Sequence, residues 1–344
     1  MIWALVLCAA LWVLGGWMKA TVQQRWLVLG VAWLAAFFWF GVPGNLTSDD
    51  ARVWALATLI GAIWVAYRAG LSRLRARARP ADLPGTPAPA PNAGAFAPEE
   101  LDRYARHILL REIGGPGQKA MKKARVLVIG AGGLGSPSLL YLAAAGVGTI
   151  GVVDDDVVDA SNLQRQVIHR TDSVDRPKVA SAAEAMRALN PFVTVNTHQQ
   201  RFDESCAAML DDYDLVLDGS DNFDTRYLVN RMAARAGKPL ISAAITQWEG
   251  QISLYDPAHG TPCYECIFPH RPAPGMVPTC AEAGVAAPLP GIVGSMMAME
   301  AVKHLTGAGE GLRGRLMIYD ALYGEARVIG LKKRPDCAVC GAAD

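Results

Sequence analysis

The stretch that decides the fold is Arg125–Ala145, RVLVIGAGGLGSPSLLYLAAA. Its first five residues are mostly β-branched and apolar, which predicts a short buried strand. From Ser136-Pro137 onward the pattern turns helical, and a proline in the first turn forfeits only an N–H that would be unpaired anyway. Between strand and helix lie Gly130, Gly132, Gly133, Leu134 and Gly135. Strand, glycine loop and helix in this order bind phosphate: glycine lets the backbone approach the anion, and the helix N-terminus presents N–H groups to it. By itself the loop fits any nucleotide or dinucleotide.

Working outward, Thr149–Val153 predicts a second strand ending at Asp154, 24 residues past Gly130. A carboxylate there accepts hydrogen bonds from ribose hydroxyls. On these residues alone a nicotinamide-dependent dehydrogenase is a fair reading. The following segment, Asp154–Lys178 (DDDVVDASNLQRQVIHRTDSVDRPK), shifts it. Arg165 and Lys178 are cations able to reach a triphosphate, for which a hydride-transfer site has less use. Asp214–Asp218 (DLVLD) predicts a further buried strand, followed by Gly219-Ser220-Asp221-Asn222. That turn falls at the carboxyl edge of the sheet, where open α/β sheets bind ligands. Asp221 can hold Mg²⁺ there, because Mg²⁺ favours one or two carboxylates plus phosphate oxygens. Asp155, Asp156 and Asp159 read as solvated loop acids.

The chain has 344 residues, 19% of them charged, with a mean hydropathy of +0.18. The apolar excess sits at the front. Residues 1–79 carry eight Lys/Arg and two acids, which leaves 25 basic and 30 acidic residues beyond them. A mildly acidic remainder offers no basic face and argues against nucleic acid as a partner. Three uncharged apolar runs, with tryptophans near their ends, predict a membrane anchor of two to three transmembrane helices at about 1–18, 26–45 and 51–68. The Lys/Arg bias then predicts a multi-pass protein of the bacterial inner membrane, with everything after Arg68 in the cytoplasm. Residues 80–98 are rich in Pro and Ala and read as an extended linker, and 99–344 as the globular domain. Of seven cysteines, four form two Cys-x-x-Cys pairs, Cys263/Cys266 and Cys337/Cys340. Such pairs bind metal in a reducing compartment and can form disulfides in an oxidising one.

From about Phe96 to Asp344 the chain resembles the MoeB/ThiF/HesA family, the bacterial relatives of ubiquitin-activating enzymes. The matching residues are Arg103–His107, the glycine loop, Ser161–Gln166, Pro177-Lys178, Asp218–Arg226, Glu249–Gln251, Cys263–Cys266, Thr279–Val285 and Cys337–Cys340. The resemblance implies a Rossmann-like, mostly parallel sheet with helices on both faces. It implies a Mg-ATP-dependent adenylyltransferase whose substrate is the C-terminal Gly-Gly carboxylate of a small ubiquitin-like sulfur-carrier protein, of molybdopterin or thiamine type. Position by position, Asp154 would hold the ribose, and Arg165 and Lys178 the phosphates. Asp221 would serve Mg²⁺ and the reacting centre, with Asn162 and Asn222 in support. Arg106 matches an arginine that crosses a homodimer interface into the partner's site. The four paired cysteines match a structural Zn²⁺ site, and Cys280 matches a loop cysteine that takes up the activated carrier in some branches. Two departures from the family pattern are the apolar front end and the lack of a rhodanese-like domain after Cys340, which implies a separate sulfur donor. Two competing readings are a tRNA-modifying dehydratase relative and a tethered binding module without chemistry.

Overall fold

The structure, a computed structural model, describes residues 96–273, 276 and 280–341, with isolated positions between 30 and 70; the side chains of 280 and 281 are outside this set. The chain divides into two units, Met1–Thr86 and Pro87–Asp344. The first two apolar runs, 1–18 and 26–45, fall outside the described residues except for position 30. In the third, positions 59, 62–64 and 66–68 are helical, yet no helix among the described residues is long and apolar enough to cross a membrane. This overturns the predicted multi-pass placement in an inner membrane. Hydropathy alone was a poor guide there: the third run is confined between Arg52 and Arg68, short of the roughly 20 apolar residues a span requires.

The second unit is built on an eight-stranded sheet in the order β3-β2-β1-β4-β5-β6-β7-β8. The strands are β1 (Arg125–Ile129), β2 (Thr149–Val153), β3 (Thr194–His198), β4 (Leu215–Asp218), β5 (Leu240–Ile245), β6 (Glu249–Tyr255), β7 (Arg315–Asp320) and β8 (Glu325–Gly330). From β3 through β5 every pairing is parallel. From β5 through β8 every pairing is antiparallel. The sheet is therefore mixed, more so than the sequence reading anticipated.

Strand alternation divides the core between two faces. Val126 and Val128 of β1 pack with Leu215 and Leu217 of β4 in one cluster, whereas Leu127, Ile129 and Val216 belong to another. The first is covered by α3 (Gly135–Ala145), α4 (Lys178–Leu189) and the long α8 (Pro288–Thr306). The second is covered by α5 (Phe223–Arg235), the turn helix Glu204–Asp212 and α6 (Tyr264–Ile267). Leu127 and Leu217 are fully buried. Truncating either to Ala should cost about 2–5 kcal/mol.

Two helices precede β1: α1 (Pro98–Ile108) and α2 (Gly114–Lys123). α1 is pinned by the buried pair Glu100–Lys122 at 2.6 Å and by Tyr104, whose hydroxyl accepts from Asn190 Nδ2 at 2.8 Å. Gly146 makes room for that ring: a Cβ there would lie 2.4 Å from Tyr104 Cζ.

Candidate functional site

β1 ends at Ile129 and α3 begins at Gly135, so the glycine loop spans the carboxyl edge of the parallel strands. Gly130 has φ +91°, a left-handed conformation that an L side chain rarely tolerates. Its N–H bonds to Val153 O at 2.8 Å, while Gly219 N bonds to Ile129 O at 2.9 Å, which ties the three strand ends together. A Cβ on Gly135 would fall 1.9 Å from Gly130 O, so helix and loop can close only around glycine. No side chain caps the N-terminus of α3. Ser136 N–H is already taken by Gly132 O at 2.9 Å, and Pro137 has none. The N–H groups open to an anion are those of the loop just before the helix, at Gly132–Leu134, for which no backbone carbonyl among the described residues is an acceptor.

A cavity of about 880 Å³ opens at this edge. Gly130, Gly132, Gly133 and Leu134 line it together with Asp154, Asn162, Arg165, Lys178, Asp221 and Asn222. Nearly all the expected nucleotide-site residues thus converge on one space. Gly135 acts in the turn itself. Asp154 accepts from Ala131 N at 2.7 Å and from Asp156 N at 2.9 Å, so it braces the loop while facing the cavity. Burial pushes its carboxyl above the usual carboxylate range, against the pull of Lys178. Arg165 donates to Asn162 Oδ1 at 2.6 Å. Asn222 caps α5 through Thr225 N at 2.8 Å.

The acids around the cavity are employed differently. Asp218 is fully buried and saturated: it accepts from Ser220 N and Oγ and from Ser242 Oγ, with Arg226 3.7 Å away. It holds the turn that presents Asp221. Among the described residues, no protein group donates a hydrogen bond to the Asp221 carboxylate, which lines the cavity and is exposed. It is free to take a cation. Asp156 is exposed, as expected of a loop acid, but its carboxylate also pairs with the largely buried Lys178 at 2.7 Å. The backbone reinforces that pair through Lys178 N to Asp156 O at 2.9 Å. Asp159 caps the turn at Ser161.

Several lining residues escaped the sequence reading. Gln200, Arg201 and Phe202 follow β3, a strand with too many polar residues to stand out. Gln166 is 5% exposed, its Oε1 has no partner, and a Cβ on Gly132 would sit 3.6 Å from its Nε2. His169, also buried, bridges Ser181 Oγ (3.0 Å) and Ala131 O (2.9 Å). On the far wall, burial pushes the Tyr264 hydroxyl up to about 12.

One expected site residue lies away from the cavity. Arg106 is exposed on α1 and is not among the residues lining the cavity. Cys280 opens the short helix α7 (Cys280–Ala283).

The four paired cysteines do converge. Their Sγ atoms all lie within 4.8 Å of one another, with Cys263–Cys337 at 3.6 Å, Cys266–Cys340 at 3.4 Å and Cys263–Cys266 at 4.0 Å. A disulfide needs about 2.05 Å, whereas four thiolates around Zn²⁺ at about 2.3 Å stand roughly 3.8 Å apart. The cluster fits the metal. Burial pushes the Cys263 thiol well up, and the nearby cation, Arg334, whose backbone N–H lies 3.4 Å from Cys266 Sγ, pairs its guanidinium with Asp336 at 2.7 Å. The same geometry joins the loop after β6 to the C-terminal segment.

The profile of the ThiF family matches residues 104–339. A sulfur carrier protein adenylyltransferase of Thermus thermophilus is 50% identical over 248 residues, which cover 71% of this chain and 92% of that protein. The SAMP-activating enzyme E1 of Haloferax volcanii is 49% identical over 243 residues, 70% of this chain and 89% of its own length. A probable adenylyltransferase/sulfurtransferase, MoeZ of Mycobacterium tuberculosis, is 52% identical over 247 residues; the chain spans 63% of its length. Escherichia coli MccB, solved with MccA-N7isoASN, shares the fold with a TM-score of 0.63 at 23% identity, covering 70% of this chain and 75% of that one. With the family profile spanning most of the globular unit, and relatives at half identity along nearly their whole length, the chain belongs to the ThiF family.

Proposed function

We infer that the chain is an adenylyltransferase that activates the C-terminal carboxylate of a small sulfur-carrier protein with ATP. One observation carries this reading: a single cavity joins an uncapped helix N-terminus, the cations Arg165 and Lys178, and the unengaged carboxylate of Asp221. The carrier's carboxylate oxygen attacks the α-phosphorus, an acyl–oxygen–phosphorus bond forms, and pyrophosphate leaves. Such a transfer needs charge neutralisation and alignment more than covalent help from the protein. The glycine loop and the two cations bind the phosphates, Asp154 the ribose. Asp221, with Asn162 and Asn222 in support, would hold Mg²⁺, which supplies charge neutralisation at the phosphates. Zn²⁺ would be held by Cys263, Cys266, Cys337 and Cys340 as a closed structural site with no open position. Arg106, on a firmly docked helix beside the exposed Leu109 and Leu110, fits a homodimer in which it enters the partner's cavity.

The test is ATP–pyrophosphate exchange against a panel of Gly-Gly-ended carrier proteins from the same host. Exchange that requires both a carrier and its terminal carboxylate is the expected result. Nicotinamide-dependent turnover without exchange would replace this reading with the dehydrogenase one.

A further inference from the structure

The glycine loop must hold its N–H groups toward the cavity before any phosphate arrives, and glycine is the residue least able to enforce that. Peptide planes flanked by glycine rotate at little steric cost. Ala131, however, is held from both sides. Its N–H donates to Asp154 Oδ2 at 2.7 Å, and its carbonyl oxygen lies 2.9 Å from His169 Nε2. A carbonyl can only accept, so Nε2 carries the proton, and in the neutral ring Nδ1 accepts from the Ser181 hydroxyl at 3.0 Å. His169 is 6% exposed and the Ser181 side it faces belongs to α4, so the brace is anchored in the core.

In a trans peptide the C=O and N–H point in opposite directions. With the Ala131 carbonyl drawn inward to His169, the N–H of Gly132 is turned the other way. Gly132 lines the cavity, and no backbone carbonyl among the described residues takes its N–H. We propose that His169 is a positioning residue that fixes the Ala131–Gly132 peptide so that Gly132 N–H points at the phosphates of the nucleotide. Without the brace the peptide can flip and place a carbonyl oxygen where an anion should bind. This rests on the nucleotide reading above, and it assigns His169 no contact with substrate.

The experiment compares binding of ATP and of adenosine, by calorimetry, to the wild-type chain and to His169→Leu, His169→Gln and Ser181→Ala. Loss of an N–H donor to a charged group weakens binding by about tenfold or more. His169→Leu should therefore lose at least about tenfold in ATP affinity and keep its adenosine affinity. His169→Gln, whose amide N–H can reach the same carbonyl, should recover most of the loss. Ser181→Ala should fall between the two, because it frees the other tautomer. A general packing role predicts that both ligands weaken in parallel and that Gln is no better than Leu; either outcome overturns the proposal. Wild-type protein that binds no ATP would instead sink the nucleotide reading. Thermal unfolding of each variant identifies any that fails to fold; in that case Ser181→Ala, away from the loop, decides by the same ATP-to-adenosine contrast.

Discussion

The parallel and antiparallel halves of the sheet solve different problems. Around β1, β2 and β4 the functional groups are prepared by the protein itself: Asp154 is bonded to the loop, Lys178 to Asp156, Arg165 to Asn162. Each cation has a counter-group ready, and a ligand need only exchange one partner for another. Beyond β6 the cysteine cluster is the reverse, four sulfurs brought together beside one cation, Arg334, whose guanidinium is paired with Asp336. In the first region the cations have protein partners before any ligand arrives. The second has the spacing of a site that a metal would complete. An enzyme site that must release its product benefits from the former, and a structural clasp between the loop after β6 and residues 337–340 from the latter.

The contrast breaks most visibly at the cysteines. Cys337→Ser should remove bound zinc and loosen the C-terminal segment, because a structural zinc site contributes on the order of 10–16 kcal/mol in small domains. Metal analysis with limited proteolysis checks this; protein purified without chelator that holds no zinc would falsify the site. In the parallel half the largest effect belongs to the unengaged acid. Asp221→Ala should lower ATP–pyrophosphate exchange by roughly 10²- to 10³-fold, the scale of removing one preorganised electrostatic group. Exchange at the wild-type rate would take Asp221 out of the mechanism. Lys178→Met should weaken ATP binding by about 10- to 100-fold, as expected for a charge-assisted bond, with little change in thermal stability since Asp156 is free to turn to solvent. A large loss of stability instead would make the pair structural.

The smallest effect is a pH dependence. Burial holds His169 below its ordinary 6.5. The unfolded chain therefore takes up a proton near pH 6.5 that the folded chain resists. The stability tied to this group is fully present above that pH and is lost as pH falls toward the folded value. His169→Gln should flatten the part of the curve of melting temperature against pH that lies below the ordinary 6.5. An unchanged slope would show that other groups set it.

Much of the site could be read without coordinates because it is local. Strand, glycine loop and helix from Arg125 to Ala145 follow from residue type and spacing, and β1, β2 and β4 lie within a residue of where the pattern put them. Asp154 and Asp221 could be nominated because each follows a recognisable strand, and Lys178 because it is a cation able to reach a triphosphate. The reading went wrong in the front segment. Apolar runs, their flanking tryptophans and the Lys/Arg bias pointed there to spans that no helix among the described residues is long and apolar enough to make. It missed Asp156, Gln166 and His169 for a different reason. Asp156 meets Lys178 22 positions on, His169 meets Ser181 and Ala131 at 12 and 38 positions, and only packing decides which partner a polar group meets.

The amino-acid order by itself determined the phosphate loop, the strands flanking it and the chemistry available there, because φ-permissive glycines and β-branched runs act over a few residues. Only the tertiary structure decided that the two cysteine pairs, 70 residues apart, meet within metal-binding distance. It also decided that the sheet turns antiparallel after β5, that Lys178 is held by Asp156, and that His169 turns a carbonyl away from the cavity. These depend on the closing of long loops around a common core, where the burial of distant side chains outweighs any local preference.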